Sequence, residues 1–254
     1  MYRSSRNSLQ SVCFRLLAGL GLAAGIFASG CANAPTQAEA RAAVGAGTSA
    51  GADPKVNQSF YEPDLQVWSN RFEGESRELY RKRAEIVAAS GVKPGMTVAD
   101  VGAGTGLFTM LLGKQVLPGG QVIAVEISQS FAEAILRRAN REKLQNISSV
   151  VGTHTDIRLP EGSVDLIFTT DTYHHFEQVT PILQSIRRAL KPGGRLLVVD
   201  FERIPGVTQK RTLDHVRAGK ETVIQETTAA GFRLREEVKA LRLKDNYFLV
   251  FERT

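Results

Sequence analysis

Asp100-Val-Gly-Ala-Gly-Thr-Gly106 sets three glycines at alternate positions behind a short apolar run, Thr97–Val101. Glycine has no Cβ, so a strand can turn sharply into a helix there and a ligand can press against bare backbone. The helix start that follows offers unpaired N–H groups and a partial positive charge. A second apolar run, Gln121–Val125, ends in Glu126, twenty positions after Gly106. An acid so placed accepts hydrogen bonds from both ribose hydroxyls of a nucleoside. The spacing departs from the dinucleotide fingerprint, because Leu107 stands where its third glycine would fall.

A second group of residues suits proton transfer. The chain has only four histidines, His154, His174, His175 and His215. Asp171, Tyr173, His174 and His175 directly follow the apolar run Val164–Thr170. An oxygen or nitrogen nucleophile must usually lose a proton, and imidazole takes one near neutral pH. Asp171, His174, His175 and His215 are therefore the candidate catalytic residues. The competing reading makes His174 and His175 helix-capping or packing residues, and His215 an exposed loop histidine. The spacing of these groups resembles no defined metal site, so no metal is expected.

The elements that must position these groups alternate in kind. Glu75–Ser90 reads as one helix, with Leu79, Arg83, Ile86 and Val87 near one side. Gln129–Leu144 reads as a helix and Ile147–Gly152 as a strand. Val164–Thr170 is nearly continuously apolar, as expected for a strand covered on both faces. Val179, Ile182, Leu183, Ile186 and Leu190 form a helical stripe that Pro192-Gly193-Gly194 ends, and Arg195–Val199 reads as the next strand. Lys220–Ala230 is a further helix. Leu234–Leu241 and Tyr247–Glu252, joined through Lys244-Asp245-Asn246, read as a hairpin. This order predicts an α/β fold: a doubly wound, mostly parallel sheet with helices on both faces, closed by one antiparallel strand at its edge.

Composition narrows the partners. The formal net charge over 254 residues is +6, and Arg3, Arg6 and Arg15 supply half of it with no acid before residue 31. The remaining excess is too mild for nucleic acid, and no basic cluster interleaves with aromatics. Both cysteines, Cys13 and Cys31, lie near the N-terminus, so the globular part holds no disulfide, cysteine-ligated zinc or thiol nucleophile. Arg3 and Arg6, the apolar Leu16–Phe27 and the small residues Ala28-Ser29-Gly30 before Cys31 read as a secretory signal over residues 1–31. The apolar core is too short to cross a bilayer. Ending on Cys31 after small residues resembles a bacterial lipobox, with Cys31 the lipidated mature N-terminus. Residues 32–58 lack large apolar groups and read as a flexible tether. A globular domain then follows over 59–254. Its N-terminal helical part carries Trp68, Phe72, Glu73 and Tyr80, either as cover for the cleft or as core.

The glycine turn with Asp100 and Glu126 resembles the first motif of the class I S-adenosylmethionine-dependent methyltransferases. Further matches are Asp156 before Leu159-Pro160, the strand and loop Ser163–Phe176, and Leu190-Lys-Pro-Gly-Gly-Arg-Leu-Leu-Val-Val199. The resemblance covers most of Gly91–Thr254 and implies a Rossmann-like, seven-stranded sheet with a C-terminal antiparallel hairpin. It implies S-adenosylmethionine as cofactor. Gly102, Gly104 and Gly106 would lie on its methionine and ribose side, and Asp100 would order the turn or reach the cofactor amine through water. Glu126 would take the ribose, Ile127 would pack on the adenine, and Asp156 would accept from its amino group. The implied activity is methyl transfer to a small-molecule or lipid-like acceptor. The leader strains it, since an exported protein meets little of this cofactor. The alternatives are an unprocessed leader with a cytoplasmic or membrane-associated enzyme, a route by which the cofactor reaches the envelope, or a non-catalytic nucleoside-binding lipoprotein of the envelope. The expected location is periplasmic with a lipid anchor on Cys31. A nicotinamide dehydrogenase is disfavoured by Leu107 and by the terminal hairpin.

Overall fold

The computed structural model describes residues 50–254. The leader, Cys31 and the first part of the tether lie outside the described residues.

The tether expected to reach residue 58 gives way earlier to a helix, α1 (Pro54–Tyr61). Asp53 caps it by accepting from the Lys55 amide, and Pro54 occupies the first turn, where its missing N–H costs nothing. Asn57 on α1 is 2% exposed and bonded to residues of the C-terminal half, which anchors a segment whose composition alone reads as loose. Helix α2 (Leu65–Phe72) is capped in the same way by Asp64. The single helix expected over 75–90 is two short ones, α3 (Glu78–Arg81) and α4 (Arg83–Ala89), hinged at Lys82. Glu78 anchors the first of them. Its buried carboxylate accepts from the amides of Lys244 and Asp245, tying α3 to the far end of the chain.

From there strands and helices alternate: β1 (Thr97–Val101), α5 (Leu107–Gln115), β2 (Gln121–Glu126), α6 (Gln129–Arg141), β3 (Ile147–Val151), β4 (Val164–Thr170), α7 (Val179–Ala189), β5 (Leu190–Phe201), α8 (Lys210–His215), α9 (Lys220–Ala229), β6 (Phe232–Glu237) and β7 (Asn246–Arg253). The seven strands form one sheet in the order β3-β2-β1-β4-β5-β7-β6. β1 to β5 pair in parallel, and β7 runs antiparallel to both β5 and β6. The antiparallel strand is therefore one position inside the sheet and β6 forms the edge, which corrects the expectation that it lies at the edge. The connection from β6 to β7, residues 238–245, is long enough for β7 to slot in beside β5.

Successive strand residues feed opposite cores. Ala99, Ile167, Leu196 and Val198 pack under α7 and α9, while Val98, Phe168, Leu197 and Val199 pack under α4, α5 and α6. This period of two, with both faces apolar, is what buries the parallel strands completely. At roughly 1.5–3 kcal/mol for each large side chain buried, the two cores hold the carboxyl ends of β1, β2, β4 and β5 rigidly at one rim. Functional groups in open parallel sheets gather there.

Candidate active site

At that rim lies a cavity of about 1030 Å³, larger than a single drug-sized ligand requires (about 300–1,000 Å³). The glycine turn forms one wall. Gly102, Gly104 and Gly106 all have positive φ, at 73°, 55° and 81°. A Cβ on Gly102 would lie 2.1 Å from Thr172 Cγ2, so this glycine is required by the close approach of the β4 loop. Gly102 and Gly104 line the cavity; Gly106 does not. Gly106 instead precedes α5, and a Cβ there would meet Ile135 at 3.1 Å, so it serves helix packing rather than ligand contact.

Glu126 ends β2 inside the cavity, 8% exposed. Its carboxylate accepts from the amides of Gly104 and Ile127, at 2.5 and 3.0 Å. Burial pushes its pKa up to about 7, against the pull of those backbone donors. Ile127 also lines the cavity. Asp100 is fully enclosed and lies outside the cavity lining. It accepts from the Thr109 hydroxyl at 2.6 Å, and burial raises its pKa to about 6. That bond ties β1 to α5 across the turn.

Asp156 does not face the cavity. Its carboxylate accepts from the Arg158 amide, the Ser185 hydroxyl and the Arg188 guanidinium, at 2.7, 3.1 and 2.9 Å. These partners pin α7 to the loop after β3. Thr153, His154 and Ile157 from the same loop do line the cavity.

The residues after β4 form the opposite wall. Asp171, at φ 45°, accepts from Arg77 at 2.6 and 3.2 Å and from the Asn246 side-chain amide at 2.7 Å. Burial holds its pKa up, opposed by the Arg77 charge and reinforced by that of Asp200. It joins the N-terminal helices to the start of β7. His174, His175 and His215 come together, as their candidacy required. Ring centroids are 4.1 Å apart for His174 and His175, and 5.1 Å from each of these to His215. His174 Nδ1 lies 2.7 Å from Asp200 Oδ1, and its backbone amide donates to Asp200 Oδ2 at 3.1 Å. A carboxylate only accepts, so Nδ1 carries a proton, and in the neutral ring Nε2 keeps its lone pair. His175 Nδ1 lies 2.7 Å from Asn57 Oδ1. The Asn57 amide nitrogen faces the His175 carbonyl and Glu177 carboxylate, both acceptors, so its oxygen must accept from His175. Burial first, then the charges on His174, His215 and Arg71, push the His175 pKa down to about 2. His215 is lowered by the same kinds of cause.

Two groups here were missed in the sequence. Asp200 closes an apolar run, Leu196–Val199, as Glu126 closes another, and that repeated pattern could have marked it. Asn57 carries no comparable signal. Over the cavity lie Phe60, Trp68 and Phe72, each ring 4.4–4.9 Å from the next, with Phe60 also edge-on to His175. Phe72 reaches within 3.2 Å of where a Gly104 Cβ would be, and Glu73 accepts from Thr105 and Arg138. Trp68, Phe72 and Glu73 thus cover the glycine turn. Tyr80 instead packs against the core under α4 and α5.

The match to known proteins agrees with this architecture. Residues 99–198 match the family model described as a methyltransferase domain. The chain is 34% identical over 124 residues to the ubiquinone/menaquinone biosynthesis C-methyltransferase of Pasteurella multocida, covering 46% of this chain and 44% of that protein. It is 32% identical over 120 residues to the demethylmenaquinone methyltransferase of Symbiobacterium thermophilum, covering 47% and 48%. The chain thus spans about half the length of the curated relatives it matches. A crystal structure of a SAM dependent methyltransferase from Aquifex aeolicus superposes with a TM-score of 0.67 at 24% identity, over 76% of this chain and all of that one. That likeness establishes the Rossmann-like fold, with its mostly parallel seven-stranded sheet and antiparallel C-terminal strand.

Proposed function

We propose that this chain is an S-adenosylmethionine-dependent methyltransferase acting on a small, largely apolar acceptor. The observation that carries this is the Gly104–Glu126 pairing, which opens on the same cavity as the three imidazoles. The residues fit the cofactor. Gly102–Gly104 present backbone without side chains, and Glu126 keeps lone pairs for ribose hydroxyls beyond the two amides it already accepts. Ile127 offers an apolar surface to the adenine. When bound, S-adenosylmethionine supplies a methyl group already activated by its sulfonium.

The protein's own task is then to position the acceptor, exclude water and manage its proton. Phe60, Trp68 and Phe72 supply a low-dielectric roof. His174, with its proton fixed on Nδ1 by Asp200, presents Nε2 as the acceptor of a proton or hydrogen bond. Asp171 holds the roof to the sheet through Arg77. The aromatic roof and the apolar side chains Ile204 and Val207 among the lining residues suit a planar, hydrophobic acceptor such as a quinol. The names of the curated relatives point the same way. Export and a lipid anchor at Cys31 would place the enzyme beside membrane-dissolved acceptors, a location supported by the order of charge, apolar core and small residues in the leader.

Calorimetry with S-adenosylmethionine, S-adenosylhomocysteine and NADH tests the cofactor. Micromolar binding of the first two, without NADH binding, is expected. Release of S-adenosylhomocysteine on adding demethylated quinols supports the activity. Tight cofactor binding with no turnover on quinols, lipid extracts or metabolite extracts would leave the protein a nucleoside-binding module instead. Metabolic labelling of Cys31 with a fatty acid, lost in Cys31→Ser, tests the anchor.

A further inference from the structure

We propose that His174, His175 and His215 bind one divalent transition-metal ion of the zinc class, with a free coordination position open to the cavity. Only the identity of what enters that position, an oxygen of the methyl acceptor, rests on the reading above. The metal site itself stands on the imidazoles.

Each ring offers one nitrogen, and the three nitrogens lie within 4.8 Å of one another. Imidazole nitrogens sharing a zinc ion at about 2.0–2.1 Å sit roughly 3.3 Å apart, so the rings need draw together only modestly. His215 has the freedom to do this. It ends α8, a six-residue helix none of whose residues is buried.

The protonation pattern is already that of ligands. Asp200 holds the proton of His174 on Nδ1, and Asn57 does the same for His175. Each ring is left with a lone pair on Nε2. A carboxylate or amide oxygen behind the far ring nitrogen is the usual support of a metal-bound histidine, since it fixes tautomer and orientation. Neither support is exposed: Asp200 is 1% and Asn57 2% accessible. Pure packing would not need two separate buried acceptors, one from β5 and one from α1, each aimed at the same ring atom.

The charge argument runs the same way. Imidazoles this close repel one another when charged, and metal takes only their neutral form. A single cation shared among three lone pairs satisfies all of them at once. Asp200 and Asp171 supply negative charge nearby, against Arg71 and Arg211. Three neutral nitrogens with an open position suit zinc, cobalt, nickel, copper or ferrous ions and not magnesium or calcium, which take oxygen. With a metal bound, the His174 Nε2 lone pair would be a ligand and no longer a proton acceptor, and the metal would instead lower the pKa of an acceptor hydroxyl that entered its coordination shell, the proton leaving to solvent.

The purified full chain, stripped with a chelator, is titrated with Co2+ and followed by its visible d–d absorption, then back-titrated with Zn2+. One Co2+ per chain, displaced by one Zn2+, is expected. His215→Ala should weaken affinity at least about tenfold, and Asp200→Asn about 10–100-fold through the supporting hydrogen bond. Circular dichroism and thermal unfolding of the same preparations report that the variants are folded, independently of S-adenosylmethionine binding. No saturable Co2+ uptake would overturn the proposal, as would uptake unchanged in a folded His175→Ala/His215→Ala variant. Stoichiometric, histidine-dependent uptake in a chain that fails to bind S-adenosylmethionine would sustain the metal site while ending the methyl-transfer reading.

Discussion

The amide of Gly104 donates to the carboxylate of Glu126, 2.5 Å away, so the glycine turn after β1 and the acid ending β2 act as one unit. Two amides and a ligand would then share one carboxylate. Its pKa, raised to about 7 by burial, puts the titration in the working range. Ribose hydroxyls donate better to the ionised form, so binding should draw the proton off. Cofactor affinity is expected to rise with pH up to about 7 and then level, weakening by at most about tenfold per unit below it. Without ligand the sign is opposite for stability: folding favours the protonated acid, so its contribution declines as pH climbs from the unfolded value toward about 7. Glu126→Gln should cost about 1.5–3 kcal/mol of binding, roughly 10–100-fold, and flatten the pH profile. Calorimetry across that range decides it; a profile identical in both proteins would refute the linkage.

Gly102 carries a different prediction, about stability. Its φ of 73° and the 2.1 Å approach of Thr172 Cγ2 leave no place for a methyl group. Gly102→Ala should lose about 2–4 kcal/mol, strain and overlap together. Thr172→Gly in the same chain removes the overlap but not the backbone strain, so it should recover only part of the loss. Thermal unfolding of the three proteins checks this, and an unaltered Tm in Gly102→Ala would contradict the geometry.

These two residues were legible in the sequence because strand, turn and strand are local. Side-chain types at short spacing forced the chain to bend there, and Glu126 lay at the end of an apolar run. The same logic applied to Val199-Asp200 would have found the partner of His174. For Asp156 and Gly106 less could be read, because spacing places a residue in a loop or turn without fixing the direction of its side chain or Cβ. Ser185 and Arg188, on a helix about thirty residues away, decided Asp156. Asn57 was beyond reach. Its partners His175 and Glu177 lie about 120 positions along the chain, in an N-terminal stretch whose composition suggested no structure. The anchoring of α3 is similar, since Glu78 answers to amides 166 and 167 positions away.

Three N–H groups converge on Asp200: the His174 ring and backbone, and the Phe201 amide. Asparagine would offer one oxygen and turn a donor toward the others. Asp200→Asn should therefore release the tautomer of His174 and lower kcat by about 10²–10⁴-fold, with cofactor affinity little changed. The split between kcat and cofactor Kd is the diagnostic. Equal losses in both would mean that Asp200 merely supports the fold.

Arg77 and Asp171 form the ion pair that fastens the N-terminal helices over the cavity, at 2.6 Å with side chains 19% and 7% exposed. Arg77 also donates to the Phe72 carbonyl and lies over the Phe72 ring, 4.8 Å from its centre. Arg77→Ala would leave the Asp171 charge buried with only Asn246 as a side-chain donor, costing about 3 kcal/mol. The cost should depend on pH. Burial already holds the Asp171 pKa above its ordinary value, and the Arg77 charge opposes that rise. Removing Arg77 lifts it further, so the penalty is fully present above the new pKa and fades as the carboxyl protonates on acidification. Urea unfolding should thus find the variant much weaker than the parent in mild base and nearly equal to it in mild acid. Arg77→Ala/Asp171→Asn, with no charge left to strand, should lose less than the single variant in base. A penalty that is the same at both pH values, or a double variant as weak as the single one, would mean that Arg77 acts through its packing on Phe72 and not through Asp171.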